Sequence, residues 1–323
     1  MLSPDTHNTA FQLATGFINQ TNQPVFLTGK AGTGKTTFLK YIKEKTLKSV
    51  VVVAPTGVAA MNAGGTTIHS FFQLPFAPFI GRQSHFSNNE QNDLHSLINH
   101  LRLSPERKEI IQQLDLLIID EVSMVRADVL DAIDVVLRHV RNNNQAPFGG
   151  VQVLYIGDMY QLPPVVKNEE WQLLQTIYES PFFFSSQIIK TQPPVYIELD
   201  KVYRQKDKHF INLLNQVRNN EMDEDGYELL HSRYKSTIDS NDVIVLTTHN
   251  AKAQAINETA ISALNAKAHY FNATVDGSFL ETAYPTEEKL LLKVGAQVMF
   301  LKNDTETPRR FFNGKIGIVE KIE

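Results

Sequence analysis

The chain has 323 residues, a formal net charge of −4 and no cysteine, and 42% of its residues are hydrophobic against 20% charged. This length favours two domains, and the composition is that of a soluble globular protein rather than of a disordered or fibrous one. The lack of cysteine excludes disulfides, thiolate zinc sites and thiol nucleophiles, and the slightly acidic balance means that any binding site for a polyanion is local.

No membrane partner and no export are expected. The longest apolar runs, such as Val50–Ala54 and Leu116–Ile119, are far shorter than the ~20 residues that a membrane-spanning helix needs. The first residues also lack the basic patch and apolar core of a signal peptide.

Apolar runs alternate with helical patterns over the first part of the chain. An opening amphipathic helix is followed by runs typical of buried strands in a parallel sheet, namely Val25–Thr28, Val50–Ala54, Leu116–Asp120 and Val151–Gly157. Helical patterns between the runs include Lys35–Lys45 and Arg126–Arg141. This alternation predicts a doubly wound α/β domain over residues 1–188.

A second set of elements begins near Val195 and is assigned to a second domain over residues 189–323. Helices are predicted over Lys208–Asn219, Glu224–His231 and Ala251–Leu264, and a strand over Val243–Leu246.

The segment from Phe72 to Pro105 interrupts the alternation. It has no sustained period and is rich in Pro, Asn, His and Phe. So long an irregular segment inside a domain is unusual and tends to be functional or a small subdomain. We expect an inserted subdomain over residues 72–105, with a partly ordered surface excursion as the alternative.

Residues Gly29–Thr36 match the phosphate-binding pattern G-x-x-x-x-G-K-[ST], between a predicted strand and a predicted helix. Glycines let the backbone N–H groups face phosphate oxygens at the positive end of the helix. Lys35 is expected to reach the β- and γ-phosphates, and Thr36 to bind Mg²⁺ through its hydroxyl. The candidate nucleotide-binding residues are Gly29, Ala31, Gly32, Thr33, Gly34, Lys35, Thr36 and Thr37.

Two carboxylates, Asp120 and Glu121, follow the predicted strand that starts at Leu116. Because ligands bind at the carboxyl ends of parallel strands, both are expected to face the same nucleotide. Asp120 is the candidate Mg²⁺ ligand, and Glu121 the candidate base that orients and deprotonates the attacking water. Solvated acids at a strand end are the alternative, which the upstream glycine loop disfavours.

Residues Gly157–Pro164 follow another apolar run. A glutamine at such a place, here Gln161, can hydrogen-bond the γ-phosphate and report its presence. Alone, the motif is weak, because Gly-Asp after a strand is also ordinary turn chemistry.

These motifs and several others resemble, in the same order, those of the PIF-type DNA helicases in the B branch of helicase superfamily one, which are related to the RecD-like enzymes. The matching segments are GKAGTGKTTF, APTGVAAMNAGGTTIHSFF, IIDEVSM, PFGGVQVLYIGDMYQLPPV, VYRQKD and VGAQVMFLKN. The resemblance implies two RecA-like domains with ATP and Mg²⁺ in the cleft between them and single-stranded DNA running across both. It also implies 5′-to-3′ translocation and unwinding of duplex and G-quadruplex DNA, with roles in repair, recombination or telomere maintenance.

The expected partners are therefore single-stranded and forked DNA, bound by a monomer. The expected location is the cytoplasm of a bacterium, at the nucleoid, or the nucleus or mitochondria of a eukaryote.

Two groups of residues are candidates for contacts with the DNA backbone. Pro55, Thr56 and Gly57 follow the second predicted strand, where a hydroxyl and free N–H groups suit a DNA phosphate; they equally fit a capped helix start. The resemblance implies a second backbone contact in the other domain, at Thr248, His249 and Asn250.

His69 is the candidate for base stacking, since an imidazole beside phenyl rings suits a single strand. Its neighbours Phe71 and Phe72 are more typical of a core, and the family pattern is what favours His69. The segment over residues 72–105 follows directly and is expected to form a wedge or guide where single strand meets duplex.

Two further roles come from the resemblance. Arg204 is expected to cross the cleft to the γ-phosphate and neutralise charge that develops during hydrolysis. Gln12 is a candidate for reading adenine, although the segment before the glycine loop aligns ambiguously with the family.

The sequence stops at Glu323, before the family's last two motifs and most of its SH3-like insertion. We therefore expect an incomplete second RecA-like domain, with poor hydrolysis and no unwinding by these residues alone. A nucleotide-gated single-stranded DNA-binding module without efficient turnover is the alternative function. A P-loop ATPase acting on proteins is disfavoured by Thr56, His69 and Thr248 at strand ends.

Overall fold

A computed structural model provides the structure of the protein. It describes residues 8–81, 93–203, 205, 207–234, 244–274, 286–301, 304, 310–311 and 314–323. The chain divides into two compact units, Met1–Tyr227 and Glu228–Glu323.

The first unit alternates strands and helices. Its strands are β1 (Val25–Gly29), β2 (Val50–Ala54), β3 (Thr66–Thr67), β4 (Leu116–Ile119), β5 (Gln152–Ile156) and β6 (Val195–Leu199). Its helices are α1 (Thr9–Gln20), α2 (Lys35–Lys45), α3 (Gly57–Ala63), α4 (Ile68–Phe72), α5 (Leu94–His100), α6 (Pro105–Gln112), α7 (Ala127–Val140), α8 (Asn168–Leu174), α9 (Gln187–Thr191) and α10 (Lys208–Asn219). Helix α11 (Glu224–His231) spans the boundary between the units.

The six strands form one parallel sheet in the order β3-β2-β4-β5-β1-β6. Strands β1, β4 and β5 are buried along their whole length, as their continuous apolar sequences predict. Because β4, β5 and β1 are neighbours, the chain segments that follow their carboxyl ends meet at one edge of the sheet.

Apolar cores lie on both faces of this sheet. One contains Phe11, Ile18, Phe38 and Ile42 of α1 and α2, and the other contains most of the buried residues of α7. This arrangement confirms the predicted α/β fold with a doubly wound parallel sheet.

The end of the first unit differs from the boundary expected between residues 188 and 189. Strand β6 pairs with β1 at all five positions, from Val25 with Val195 to Gly29 with Leu199. Its alternating burial is typical of an edge strand, which the sequence pattern did not assign to the first sheet.

The expected insertion over residues 72–105 contributes to the first core. Among its described residues, Phe79, Leu97 and Leu103 are buried in the same cluster as α7. The backbone N–H of Phe79 also donates to the Asp128 carboxylate, at 3.0 Å. These residues are therefore part of the domain, and residues 82–92 lie outside the described residues.

In the second unit, the described residues form α12 (Asn250–Ala263) and two antiparallel strand pairs. The pairs are β7 (His269–Asn272) with β8 (Lys289–Leu292), and β9 (Gln297–Met299) with β10 (Ile316–Ile318). The expected strand over 243–246 is not present at Ile244, Val245 and Leu246, which are exposed, and Val243 lies outside the described residues. That this unit is a RecA-like domain stays a prediction.

Residues 72–105 offer a matched test of packing. Phe79 is 4% exposed and Phe76 is 74% exposed. Phe79→Ala should lower the free energy of unfolding by about 3–5 kcal/mol, the usual cost of removing a buried phenyl ring, whereas Phe76→Ala should cost about 1 kcal/mol or less. Urea unfolding followed by circular dichroism measures both, and equal effects would contradict the core role of Phe79.

Candidate nucleotide site and nucleic-acid interface

The loop between β1 and α2 folds tightly around its own lysine. The Thr33 hydroxyl donates to the Lys30 carbonyl oxygen at 2.9 Å. The ammonium of Lys35, the first residue of α2, donates to the carbonyl oxygens of Gly29 at 2.5 Å and of Lys30 at 3.1 Å. Lys35 thus rests on backbone oxygens inside the loop, where phosphate oxygens would compete for the same donors.

The glycines of this loop leave space that side chains would fill. A Cβ at Gly29 would approach the Thr33 hydroxyl oxygen to 2.6 Å and would also clash with the Leu199 carbonyl oxygen. Gly32 and Gly34 adopt positive φ angles of 82° and 97°, which favour glycine. This backbone fits a phosphate group.

Burial changes the electrostatics of this site. It lowers the pKa of Lys35, and the negative charges of Asp158 and Glu121 oppose that shift. Burial also raises the pKa of Asp120 to about 6, and the neighbouring Glu121 charge adds to the rise.

Glu121 directly follows β4 in a left-handed backbone conformation, with φ 50° and ψ 45°. Non-glycine residues adopt this conformation infrequently, and such residues cluster at functional sites. The turn places Glu121 in the wall of a cavity, while Asp120, one residue earlier, is 8% exposed.

This cavity has a volume of about 1030 Å³ and lies within the first unit. The predicted site residues in its lining are Ala31, Gly32, Gly34, Lys35, Thr36, Thr37, Glu121 and Gln161. Three further predicted residues, Gly29, Thr33 and Asp120, are buried and are not in the lining. The structure therefore brings the three strand-end motifs to one cavity.

The lining also contains residues that were not singled out as site residues from the sequence, among them Asp158, Tyr160, Tyr203, Gln205 and Arg218. Asp158 and Tyr160 belong to the motif around Gln161, so that motif carried a signal for them. The backbone N–H of Tyr203 donates to the Gly32 carbonyl oxygen at 2.8 Å, and nothing in the sequence pattern connects these two positions.

Two expected nucleotide contacts have different outcomes. Gln12 is an exposed residue of α1 and is not part of the cavity lining, so its proposed contact with adenine has no support from the cavity. Arg204 lies outside the described residues, and its role stays a prediction.

The first group of DNA-binding candidates lies at the end of β2. The Thr56 hydroxyl oxygen accepts the Ala59 backbone N–H at 3.2 Å and caps α3. The hydroxyl proton is still available as a donor, so capping and phosphate binding are compatible. Pro55 and Gly57 are partly exposed beside it.

His69 belongs to α4 and stacks on Phe76, with ring centroids 4.9 Å apart and an interplanar angle of 19°. Burial lowers its pKa, and the positive charge of Arg126 acts in the same direction. The exposed ring of the pair is Phe76, which the sequence did not single out. Phe71 and Phe72 are buried in the core, as the alternative interpretation expected.

The second group of candidates lies in the second unit. Thr248, His249 and Asn250 are exposed at the start of α12. The hydroxyl of Thr248 is hydrogen-bonded to His249 Nδ1 at 2.8 Å.

The fit of a metal depends on the donors present. Across the part of the chain that the structure describes, no group of three or more His, Cys, Asp or Glu side chains forms a metal site. Mg²⁺ at nucleotide sites needs only one or two carboxylates, with phosphate oxygens and water completing the coordination. The Thr36 hydroxyl and the Asp120 carboxylate meet that requirement.

None of the described helices is long and apolar enough to span a membrane.

The chain is similar to known helicases in sequence and structure. A family model described as PIF1-like helicase matches residues 1–228. The ATP-dependent DNA helicase PIF1 of Homo sapiens is 34% identical over 313 residues, which cover 93% of this chain and 44% of that protein. This chain thus spans less than half of the human protein.

Solved structures agree. Pif1 helicase from Bacteroides in complex with ADP-AlF3 and single-stranded DNA is 39% identical, with a TM-score of 0.83, over 100% of this chain and 71% of that one. A structure of two coordinating Pif1 helicases at forked double-stranded DNA is 39% identical, with a TM-score of 0.83, over 98% and 71%. The resemblance seen in the motifs is thereby confirmed, and the chain belongs to the PIF1-like helicase family.

Proposed function

We propose that this chain contains the nucleotide- and DNA-binding machinery of an ATP-dependent DNA helicase. The observation that carries the proposal is the single cavity in which Lys35, Glu121 and Gln161 meet. Family membership supports it, since a related Pif1 structure holds ADP-AlF3 and single-stranded DNA.

Each group in the cavity has a proposed task. The glycine loop and Lys35 bind the phosphates, and the Glu121 carboxylate orients and deprotonates the attacking water. Gln161 binds the γ-phosphate through its amide. Thr36 and Asp120 would hold Mg²⁺, which supplies neutralisation of phosphate charge when bound.

The finer features of the function are also proposals. They comprise 5′-to-3′ movement on single-stranded DNA, unwinding of forked duplex and G-quadruplex DNA, action as a monomer, and a charge-neutralising role for Arg204. We further propose that the protein acts where the cell keeps its DNA, at the bacterial nucleoid or in a eukaryotic nucleus or mitochondrion.

The nucleotide site is tested by separating binding from hydrolysis. Lys35→Ala should weaken nucleotide binding by about 10- to 100-fold, because charged hydrogen bonds to phosphate are lost. Glu121→Gln should keep binding and lower DNA-stimulated hydrolysis by about 10²- to 10⁴-fold, because only the base is removed. Fluorescent-nucleotide titration and phosphate release measure the two effects.

Lys108→Ala and Glu109→Gln are the matched controls, since both residues are exposed on α6 and are not in the cavity lining. Equal loss of binding in Lys35→Ala and Glu121→Gln would contradict the assigned roles. Failure of single-stranded DNA to raise ATP hydrolysis by the full-length protein would contradict the helicase proposal and favour the gated binding module.

The raised pKa of Asp120 predicts a stability effect that depends on pH. In the folded protein this pKa is about 6, above the usual 3.8. The stabilising contribution of the protonated form is therefore full below about pH 4 and is lost as the pH rises through about 6. Asp120→Asn should raise the Tm of the metal-free protein at about pH 8, and by much less at about pH 4.5.

The same variant should lose Mg²⁺-dependent stabilisation by nucleotide, because the amide is a weaker ligand for Mg²⁺. Thermal unfolding with ADP, with and without Mg²⁺, measures this loss. A Tm difference between Asp120→Asn and the wild type that is the same at both pH values would show that ionisation of Asp120 does not destabilise the folded protein.

The DNA-binding residues are tested with a short labelled single strand at fixed salt. Thr56→Ala and Thr248→Ala should weaken binding irrespective of base sequence, because phosphate contacts are lost. His69→Ala should cost about 1–3 kcal/mol, as is typical of a stacking contact. Fluorescence anisotropy measures the affinities.

Ser186→Ala is the control for Thr56→Ala, since the Ser186 hydroxyl caps α9 in the same way, accepting the Ile189 N–H at 3.3 Å, and lies outside the DNA-binding candidates. It should leave DNA affinity unchanged. Wild-type affinity in all of Thr56→Ala, Thr248→Ala and His69→Ala would mean that DNA binds elsewhere.

A further inference from the structure

Asp158 is the most buried carboxylate in the wall of the nucleotide cavity, at 2% exposure. One of its oxygens, Oδ1, accepts the backbone N–H of Tyr160 at 3.1 Å. The other, Oδ2, accepts the side-chain amide of Gln161 at 3.3 Å. The carboxylate thus fixes both the loop that carries Gln161 and the orientation of its amide.

That orientation has a chemical cause. A carboxylate only accepts hydrogen bonds, so the NH₂ group of Gln161 faces Asp158. An amide nitrogen has a second N–H, which remains able to donate to a phosphate oxygen, and the amide oxygen remains able to accept from water. Asp158 therefore determines which end of Gln161 is presented to a ligand.

A buried carboxylate next to a phosphate site creates a charge problem. Asp158 and Lys35 both line the cavity, so the negative charge of Asp158 faces the site where Lys35 would bind phosphate. An unpaired negative charge there would repel a polyphosphate, and a triphosphate more than a diphosphate.

The negative charge of Asp158 is paired with Arg218, which lies on a different element. Arg218 lies in the last turn of α10, and its Nη2 donates to Asp158 Oδ1 at 3.1 Å. The guanidinium also lies 4.0 Å from the centre of the Tyr160 ring. Its side chain is 18% exposed, and its charge also acts on Lys35.

We propose that Arg218 is a positioning residue for the γ-phosphate: its guanidinium neutralises Asp158 and holds the Tyr160 loop, so that Gln161 presents its amide to a triphosphate. This inference rests on the proposed function, because it requires a nucleotide in this cavity. Arg218 acts through Asp158 and Gln161, so its effect is on discrimination between triphosphate and diphosphate.

The experiment compares the affinities of the wild type and variants for Mg-ATPγS and Mg-ADP. Arg218→Ala and Arg218→Gln should weaken ATPγS binding by about tenfold and ADP binding by about twofold or less, because the unpaired Asp158 charge repels the γ-phosphate most. Arg218→Lys, which keeps the charge, should lie between them and the wild type. Adding Asp158→Asn to Arg218→Ala should restore part of the ATPγS affinity, because the unpaired charge is gone, whereas the single amide oxygen of asparagine can accept only one of the hydrogen bonds from Tyr160 and Gln161.

Arg138→Ala is the matched control. Arg138 also pairs with a largely buried carboxylate, that of Asp134 at 2.7 Å, and is not in the cavity lining. It should lower the Tm and leave both nucleotide affinities unchanged. If Arg218→Ala is too unstable to measure, Arg218→Gln and Arg218→Lys provide the test.

An ATPγS-to-ADP affinity ratio that stays at the wild-type value in the folded Arg218 variants would overturn the proposal. Equal weakening of both nucleotides would also overturn it, since that is the signature of a purely structural role. A wild type that binds neither nucleotide would instead refute the proposed function. Wild-type preference for ATPγS that persists in the variants refutes the role of Arg218 alone.

Discussion

Strand β1 is held on both edges, by β5 and by β6, and this pairing determines where the nucleotide site lies. All five residues of β1 are buried, and the chain leaves the sheet at Gly29, where a Cβ would clash with Leu199 and Thr33. The loop thus starts from a fixed point, and Lys35 reaches back to the Gly29 carbonyl oxygen. Because β4 and β5 follow β1 in the sheet, their strand-end acids are fixed by the same pairing.

Burial destabilises the charged forms of two residues at this cavity, Lys35 and Asp120. Burial lowers the pKa of Lys35 and raises that of Asp120, so each charge is less stable than it would be in water. Asp158 compensates through Arg218, whereas Asp120 has Glu121 as its neighbour, which makes its ionisation harder. A bound divalent cation would stabilise the ionised Asp120 carboxylate, and a bound polyphosphate would stabilise the charged Lys35 ammonium.

Some of this architecture was predictable from the sequence, for identifiable reasons. Strand Val50–Ala54 and helix Lys35–Lys45 have their predicted bounds, because a continuous apolar run and a helical spacing of apolar residues are both properties of the local sequence. Strand Val195–Leu199 was not assigned to the first sheet, and the core role of Phe79 was missed, because both depend on which distant surface covers them. Arg218 was missed because its partner Asp158 is 60 positions away, and an arginine in a helix carries no sign of such pairing.

The loop after β5 contains one buried and one exposed polar residue, Asp158 and Gln161. Asp158 is buried and accepts bonds from Tyr160, Gln161 and Arg218, so moving it would leave a charge unpaired in the interior, which is costly. Gln161 is exposed, and its amide donates a long hydrogen bond of 3.3 Å to the Asp158 carboxylate. The second N–H and the oxygen of the Gln161 amide can therefore bind a ligand while Asp158 keeps its position and its hydrogen bonds. Gln161 is therefore the residue that would contact the ligand, and Asp158 is the residue that holds Gln161 in position.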